Sequence, residues 1–267
     1  MNTIPNLVTV DIDVPRTNRV GADPTITTNG LLETLAAART SATFFVSQEF
    51  AKTNGSLTRA IADQGHEVAC LTTEQPAKAK PYCARFTGEL EATRDAIETV
   101  TGRRVRGHRN AWFGVNYESE WVYDVLVDHG IEYDSSRIPP KYVDFGNQPI
   151  PRGPHVARRW GGTLLEIPLS TADVFSVRMQ MGTTANVRGL PLPLWAAMVE
   201  RRQARGESMV MHLRAGDLQR RTVFRSAQST ADRKTLERVA RIVGRMAFTS
   251  VANALPDLLR TAPIIES

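Results

Sequence analysis

Only two cysteines and five histidines occur in this chain of 267 residues. Two thiols, Cys70 and Cys83, cannot build a disulfide framework, so burial must hold the fold together and a reducing compartment fits. No stretch approaches the roughly 18 consecutive apolar residues that a membrane span requires. The chain begins Met1-Asn2-Thr3-Ile4-Pro5 and moves at once into strand-like alternation, with no basic segment followed by an apolar one. A secretory signal is therefore not expected, and a cytoplasmic protein is. A clustered basic face is missing as well. The formal charge is +5 and the arginines are dispersed among acids, as in Asp232-Arg233-Lys234. Nucleic acid and membrane surfaces are thus not expected partners; a small-molecule substrate is.

The composition that is present, 42% apolar and 23% charged, excludes a disordered or coiled-coil chain and suffices to bury a core. Short apolar strands recur, each followed by a segment of helical period, which is the pattern of an α/β protein with a mostly parallel sheet. In Val8-Thr9-Val10-Asp11-Ile12-Asp13 the period of two puts Val8, Val10 and Ile12 on one face and Thr9, Asp11 and Asp13 on the other. Further strands are predicted at 42–46, 66–70, 105–109, 131–133, 163–168 and 208–213, and helices at 31–39, 57–64, 87–100 and 119–129. Gly65 and Gly102 sit where helices should end in a left-handed residue. The stretch 137–162, rich in Pro, Gly and Arg, reads as an irregular excursion, and 232–260 reads as an amphipathic C-terminal helical region. No Gly-rich phosphate loop follows the first strand, so a barrel of βα units is favoured over a doubly wound sheet.

Several short motifs follow one another along the chain: Val10-Asp11-Ile12-Asp13, Ser41-Ala42-Thr43-Phe44-Phe45-Val46 and Gly65-His66-Glu67-Val68-Ala69. Thr101-Gly102, Gly107-His108-Arg109, Gly130-Ile131-Glu132-Tyr133-Asp134-Ser135-Ser136, Glu166-Ile167-Pro168 and Met211-His212 complete the series. In this order they resemble the NodB-homology polysaccharide deacetylases, carbohydrate esterase family 4. The resemblance implies one NodB-like domain over residues 1–267, folded as a deformed (β/α) barrel with its site at the C-terminal ends of the strands. It also implies a chemistry. One aspartate of the first motif is the general base; a second, with two histidines, holds a divalent metal, zinc in the family; a late histidine protonates the leaving amine. Carried onto this chain, the catalytic set is Asp11, Asp13, Arg109 and His212, with Asp13 as the one remaining metal ligand.

The chain departs from that pattern at the metal. The family's Ser-His-x-x-x-His aligns with Cys70-Leu71-Thr72-Thr73-Glu74-Gln75, so Leu71 and Gln75 stand where two imidazoles should be. A leucine coordinates nothing, and an amide oxygen is a weak ligand for a Lewis-acidic zinc. The third motif also changes, Gly-Tyr-Arg-Ala-Pro becoming Gly107-His108-Arg109-Asn110-Ala111. Of at least three imidazoles that the family commits to its site, only His212 is matched. Two readings follow. Either hydrolysis of a non-peptide C–N bond continues with a rebuilt or metal-free site, or the barrel serves non-hydrolytic chemistry or silent binding of a small molecule. Substrate contacts are expected from His108, Trp112, Phe113, Glu166 and Arg188. Each has a plainer alternative: aspartates that end a strand, an arginine that only pairs with them, a histidine satisfied in the core, aromatics that pack.

Overall fold

A computed structural model describes residues 4–13, 23–76, 81–113, 115, 119–139, 151–174, 177–219 and 232–266. Its first half alternates strand and helix: β1 (Asn6–Ile12), α1 (Pro24–Ala37), β2 (Thr43–Val46), α2 (Gln48–Thr53), α3 (Gly55–Asp63), β3 (Glu67–Thr72), α4 (Pro81–Thr101), β4 (Gly107–Asn110), α5 (Trp121–Asp128) and β5 (Tyr133–Asp134). The second half adds β6 (His155–Arg159), β7 (Gly162–Glu166), β8 (Thr171–Val174), β9 (Val177–Gln180), α6 (Thr184–Gly189), α7 (Leu192–Gln203) and β10 (Val210–Arg214). After a 3-10 turn at Ala215–Leu218 come α8 (Arg233–Arg245), β11 (Phe248–Thr249), α9 (Val251–Thr261) and β12 (Ile264–Glu266).

Local chemistry sets the helix limits. Asp23 caps α1 by accepting the Thr25 N–H, with Pro24 in the first turn where no donor is needed. Ser47, Ser250 and Asp232 accept in the same way at α2, α9 and α8. Gly65 and Gly102 leave α3 and α4 with φ of 84° and 66°, as the sequence predicts, because a side chain there would meet its own backbone.

The strands pair in the order β10-β1-β2-β3-β4-β5-β7-β6-β12, with β11 added beside β1. From β10 to β7 all pairings are parallel. The two faces of this sheet are different environments. On one, Val8, Val10, Ile12, Phe44, Val46, Cys70 and Leu213 pack against the helices that precede α9. On the other, Leu7, Phe45, Leu71, Tyr133, Leu165 and Val210 face inward and meet Val251, Leu255 and Leu258 of α9. Helix α9 thus closes one end of the interior. Each such large apolar side chain taken out of water stabilises the fold by roughly 1.5–3 kcal/mol. The other end, where β1, β4 and β10 finish, is lined by polar side chains.

Two sequence expectations change. The excursion expected over 137–162 contains β6, which pairs antiparallel with β7 from His155↔Glu166 to Arg159↔Gly162; positions 140–150 lie outside the described residues. The helical region expected over 232–260 is two helices, because Phe248 and Thr249 leave helical geometry to pair with Asn6 and Leu7. Among the described residues no helix is long and apolar enough to cross a membrane.

Candidate active site

Alternation along three separate strands puts Asp11 of β1, Arg109 of β4 and His212 of β10 on the inward face, near the strands' C-terminal ends. There the side chains meet. The Arg109 Nη1 donates to Asp11 Oδ1 at 2.8 Å, and the other carboxylate oxygen lies 2.9 Å from His212 Nε2. Arg109 is fully buried, Asp11 4% exposed and His212 5%. Every nitrogen of the guanidinium is used: Nη1 also donates to Thr9 Oγ1 at 3.0 Å, Nε to the Ser135 carbonyl at 3.0 Å, and Nη2 to Ser135 Oγ at 2.8 Å. Its flat face lies 4.1 Å from the centre of the Phe45 ring. A fully buried cation with four of its five N–H groups bonded inside the protein is an anchor.

Burial pushes the Asp11 carboxyl up, but the charges of His212 and Arg109 and their hydrogen bonds outweigh it and hold the group well below the usual carboxylate range. Burial lowers His212, and Asp11 opposes this only in part, while the charges of Arg109 and Arg214 add to the lowering. The stable form near neutrality is therefore an ionised Asp11 beside a neutral imidazole. An ionised carboxylate only accepts, so Nε2 carries the ring proton and Nδ1 is left as the basic nitrogen. The Phe113 ring stands edge-on to His212, with centroids 5.1 Å apart.

The other expected site residues fall in different places. Asp13 follows β1 and is half-buried. Phe113 belongs to the site through His212, and Trp112 beside it is 61% exposed, its indole donating to the Thr73 carbonyl at 2.7 Å. His108 and Glu166 do not join this cluster. Both are fully buried on the opposite, helix-packed face, His108 against Asp134 and Thr72, and Glu166 against the Tyr123 hydroxyl at 2.6 Å. The cause is the pleat: if Arg109 points inward, its neighbour His108 points outward. Arg188 lies on α6 and donates to the Asp217 carbonyl, Asp232 and Thr235, tying α6 to α8. Expectations that place His108 and Glu166 with the substrate are thus corrected by their burial on the other face. Three residues absent from the expected set do belong here: Thr9 and Ser135, which hold Arg109, and Arg214, the exposed last residue of β10. Arg214 pairs in register with Asp11 and donates one bond to the Ala111 carbonyl at 3.2 Å. The inward alternation of Thr9 with Asp11, visible in the sequence, is the signal that would have found the first.

The family's metal does not fit the residues present. Leu71 points into the inner apolar cluster at 1% exposure and offers no donor. His212 already spends Nε2 on Asp11, and among the described residues no group of three or more His, Cys, Asp or Glu side chains is arranged to hold an ion. At the opposite end of the strands a cavity of about 240 Å³ opens beside His66, Glu67 and Arg106, and it touches none of Asp11, Arg109 or His212.

Comparison with known proteins agrees with this architecture. Residues 14–130 match the polysaccharide deacetylase family model. A crystal structure of a protein assigned as a polysaccharide deacetylase from Mycobacterium smegmatis superposes with a TM-score of 0.67 at 18% identity, covering 97% of this chain and 92% of that one. A family 4 carbohydrate esterase pseudoenzyme from Bacillus anthracis gives 0.52 at 14% identity over 98% of this chain and 67% of its own. A mutant of that pseudoenzyme with restored enzymatic activity gives 0.54 at 15% identity, covering 99% and 70%. No curated protein matches in sequence. The family match over residues 14–130 and the fold shared over nearly the whole chain make this protein similar to the polysaccharide deacetylases.

Proposed function

We propose that the protein hydrolyses an acetamide-type C–N bond in a small amino sugar or similar amide-bearing intermediate, without a metal at the family's position, and that His212 carries the proton. The observation behind this reading is Asp11 bridging the buried Arg109 and His212 at the strand ends. An aspartate held far below neutral pH by the Arg109 cation and the His212 N–H is a feeble base, so the role that the family gives to its first-motif aspartate moves to the imidazole. The His212 Nδ1 removes a proton from the attacking water as its oxygen adds to the carbonyl carbon. Asp11 balances the imidazolium that forms, as the buried carboxylate does in a Ser-His-Asp triad. The same nitrogen returns the proton to the departing amine as the C–N bond breaks, leaving a carboxylic acid and a free amine. Arg109 holds Asp11, and the exposed Arg214 is the cation placed to face the developing oxyanion. We place the reaction in the cytoplasm, in keeping with two free thiols.

Acetate release from a panel of N-acetylated mono- and disaccharides, in the presence of a chelator, tests the reading. Undiminished release in chelator, abolished by His212→Gln, supports it; release that requires added zinc overturns it. A second reading is favoured by the same pinned Asp11 together with Leu71 and the pseudoenzyme among the structural relatives: a silent barrel that binds the sugar without turnover. Saturable binding of a panel member with no acetate release would establish that reading and end the first.

A further inference from the structure

Behind the sheet, out of reach of any ligand at Asp11, a second polar cluster runs across four strands. His108 of β4, Asp134 of β5 and Glu166 of β7 are register partners in a row on the helix-packed face, and all three are fully buried. Buried polar groups in such a place are costly unless every one is bonded. Here they form a chain. The Tyr123 hydroxyl donates to Glu166 Oε2 at 2.6 Å. Asp134 Oδ1 accepts from the Ser136 hydroxyl at 2.6 Å and lies 2.7 Å from His108 Nδ1. His108 Nε2 lies 2.8 Å from Thr72 Oγ1, to which Asn110 Nδ2 donates at 3.2 Å. Asp134 can only accept, so His108 Nδ1 carries a proton toward it. Burial and the neighbouring Asp134 charge raise Glu166 well above its ordinary range, so it is the protonated member of the carboxyl pair.

Thr72, His108 and Asp134 thus reproduce the connectivity of a nucleophile, base and orienting acid, but with none of the three exposed the hydroxyl cannot meet a substrate. What the chain reaches instead is the pair of segments that leave β3 and β4. Asn110 donates to the Glu74 carbonyl at 2.7 Å and accepts the Trp112 N–H at 3.1 Å; Trp112 in turn bonds the Thr73 carbonyl. The next residue, Phe113, has φ of 51°, a left-handed conformation that a bulky side chain adopts only when its surroundings impose it. That is the residue whose ring stands edge-on to His212.

We propose that His108 and Asp134 are positioning residues: through Thr72 and Asn110 their buried chain fixes the two strand-end segments and so holds the Phe113 ring on His212. The proposal deepens the hydrolase reading, in which His212 is the working group, but its test needs no turnover, so either can fail alone. The five imidazoles should be resolved by long-range ¹H–¹⁵N NMR and the His212 titration followed in Thr72→Val, which removes the hydroxyl that joins His108 Nε2 to Asn110 and keeps both of those side chains. Loss of the edge-on Phe113 contact admits water, so the His212 midpoint should rise toward the ordinary imidazole value by roughly 0.5 pH unit or more. Tyr123→Phe, which cuts the other end and leaves the Thr72–Asn110 link whole, controls for general loosening and should leave the midpoint in place. A His212 titration unchanged in folded Thr72→Val, or moved equally by Tyr123→Phe, would overturn the proposal.

Discussion

Replacing Arg109 by methionine is the sharpest test of how the candidate site is held. The substitution keeps an unbranched apolar stem but removes four hydrogen bonds, to Asp11, Thr9 and twice to Ser135, together with the cation over Phe45. Asp11 then stands buried with only His212 as a partner. Removing one member of a buried ion pair costs about 3–5 kcal/mol, because the remaining charge is left without compensation. For a protein of this size that corresponds to a fall in Tm of roughly 10 °C. Urea unfolding measures the loss directly, and the slope of the transition should stay unchanged if the native state keeps its shape. A second consequence separates the electrostatic argument from mere packing. Arg109 lowers His212, so its removal should raise the His212 titration midpoint, as the lone Asp11 now favours the imidazolium. A loss below about 1 kcal/mol, the range of an exposed pair, would refute the anchoring role. So would an unmoved or lowered His212 midpoint in a folded variant.

Gly107→Ala should fail for a steric reason: a Cβ there would sit 2.0 Å from Cζ of Tyr133, a fully buried ring packed edge-on against Phe45. Overpacking of this kind costs about 1–3 kcal/mol or more, and a urea midpoint equal to that of the parent would contradict it. Acid sensitivity should come in part from His155, whose imidazole burial pushes from 6.5 down to about 4. The unfolded chain then binds the extra proton, so stability is lost as pH falls from near 6.5 to near 4, by about 3 kcal/mol in total. His155→Gln should flatten that part of the stability profile, and an identical profile would exclude the assignment.

Much of the fold was legible because its signals are local. The alternation in Val8–Asp13 assigns Asp11 and the core valines to opposite faces, and the structure keeps that division. Gly65 and Gly102 mark helix ends through their own backbone preference. The parts that were not legible depend on distant partners. Strand β6 exists because His155–Arg159 finds β7 and β12 on either side; taken alone the segment is polar and rich in arginine. Among the described residues β8 and β9 pair only with each other, and α6 and α7 follow them without a strand between.

The site divides along the same line. Asp11, Arg109 and His212 could be named from motif position, and they meet. The third motif points to His108 as a substrate contact, yet His108 adjoins Arg109, and adjacency in a strand means opposite faces. Strict alternation applied to Gly107–Asn110 assigns His108 to the helix-packed side. What alternation cannot supply is the identity of its neighbours, since Asp134 lies 26 residues on and Thr72 lies 36 back, joined only by the order in which strands pair. The two polar clusters therefore occupy opposite faces of one sheet and share β4, where consecutive residues serve them: His108 behind and Arg109 in front. The two faces of β4 are joined by a backbone only four residues long. For that reason the His212 midpoint, rather than stability alone, is the quantity that reports on both clusters.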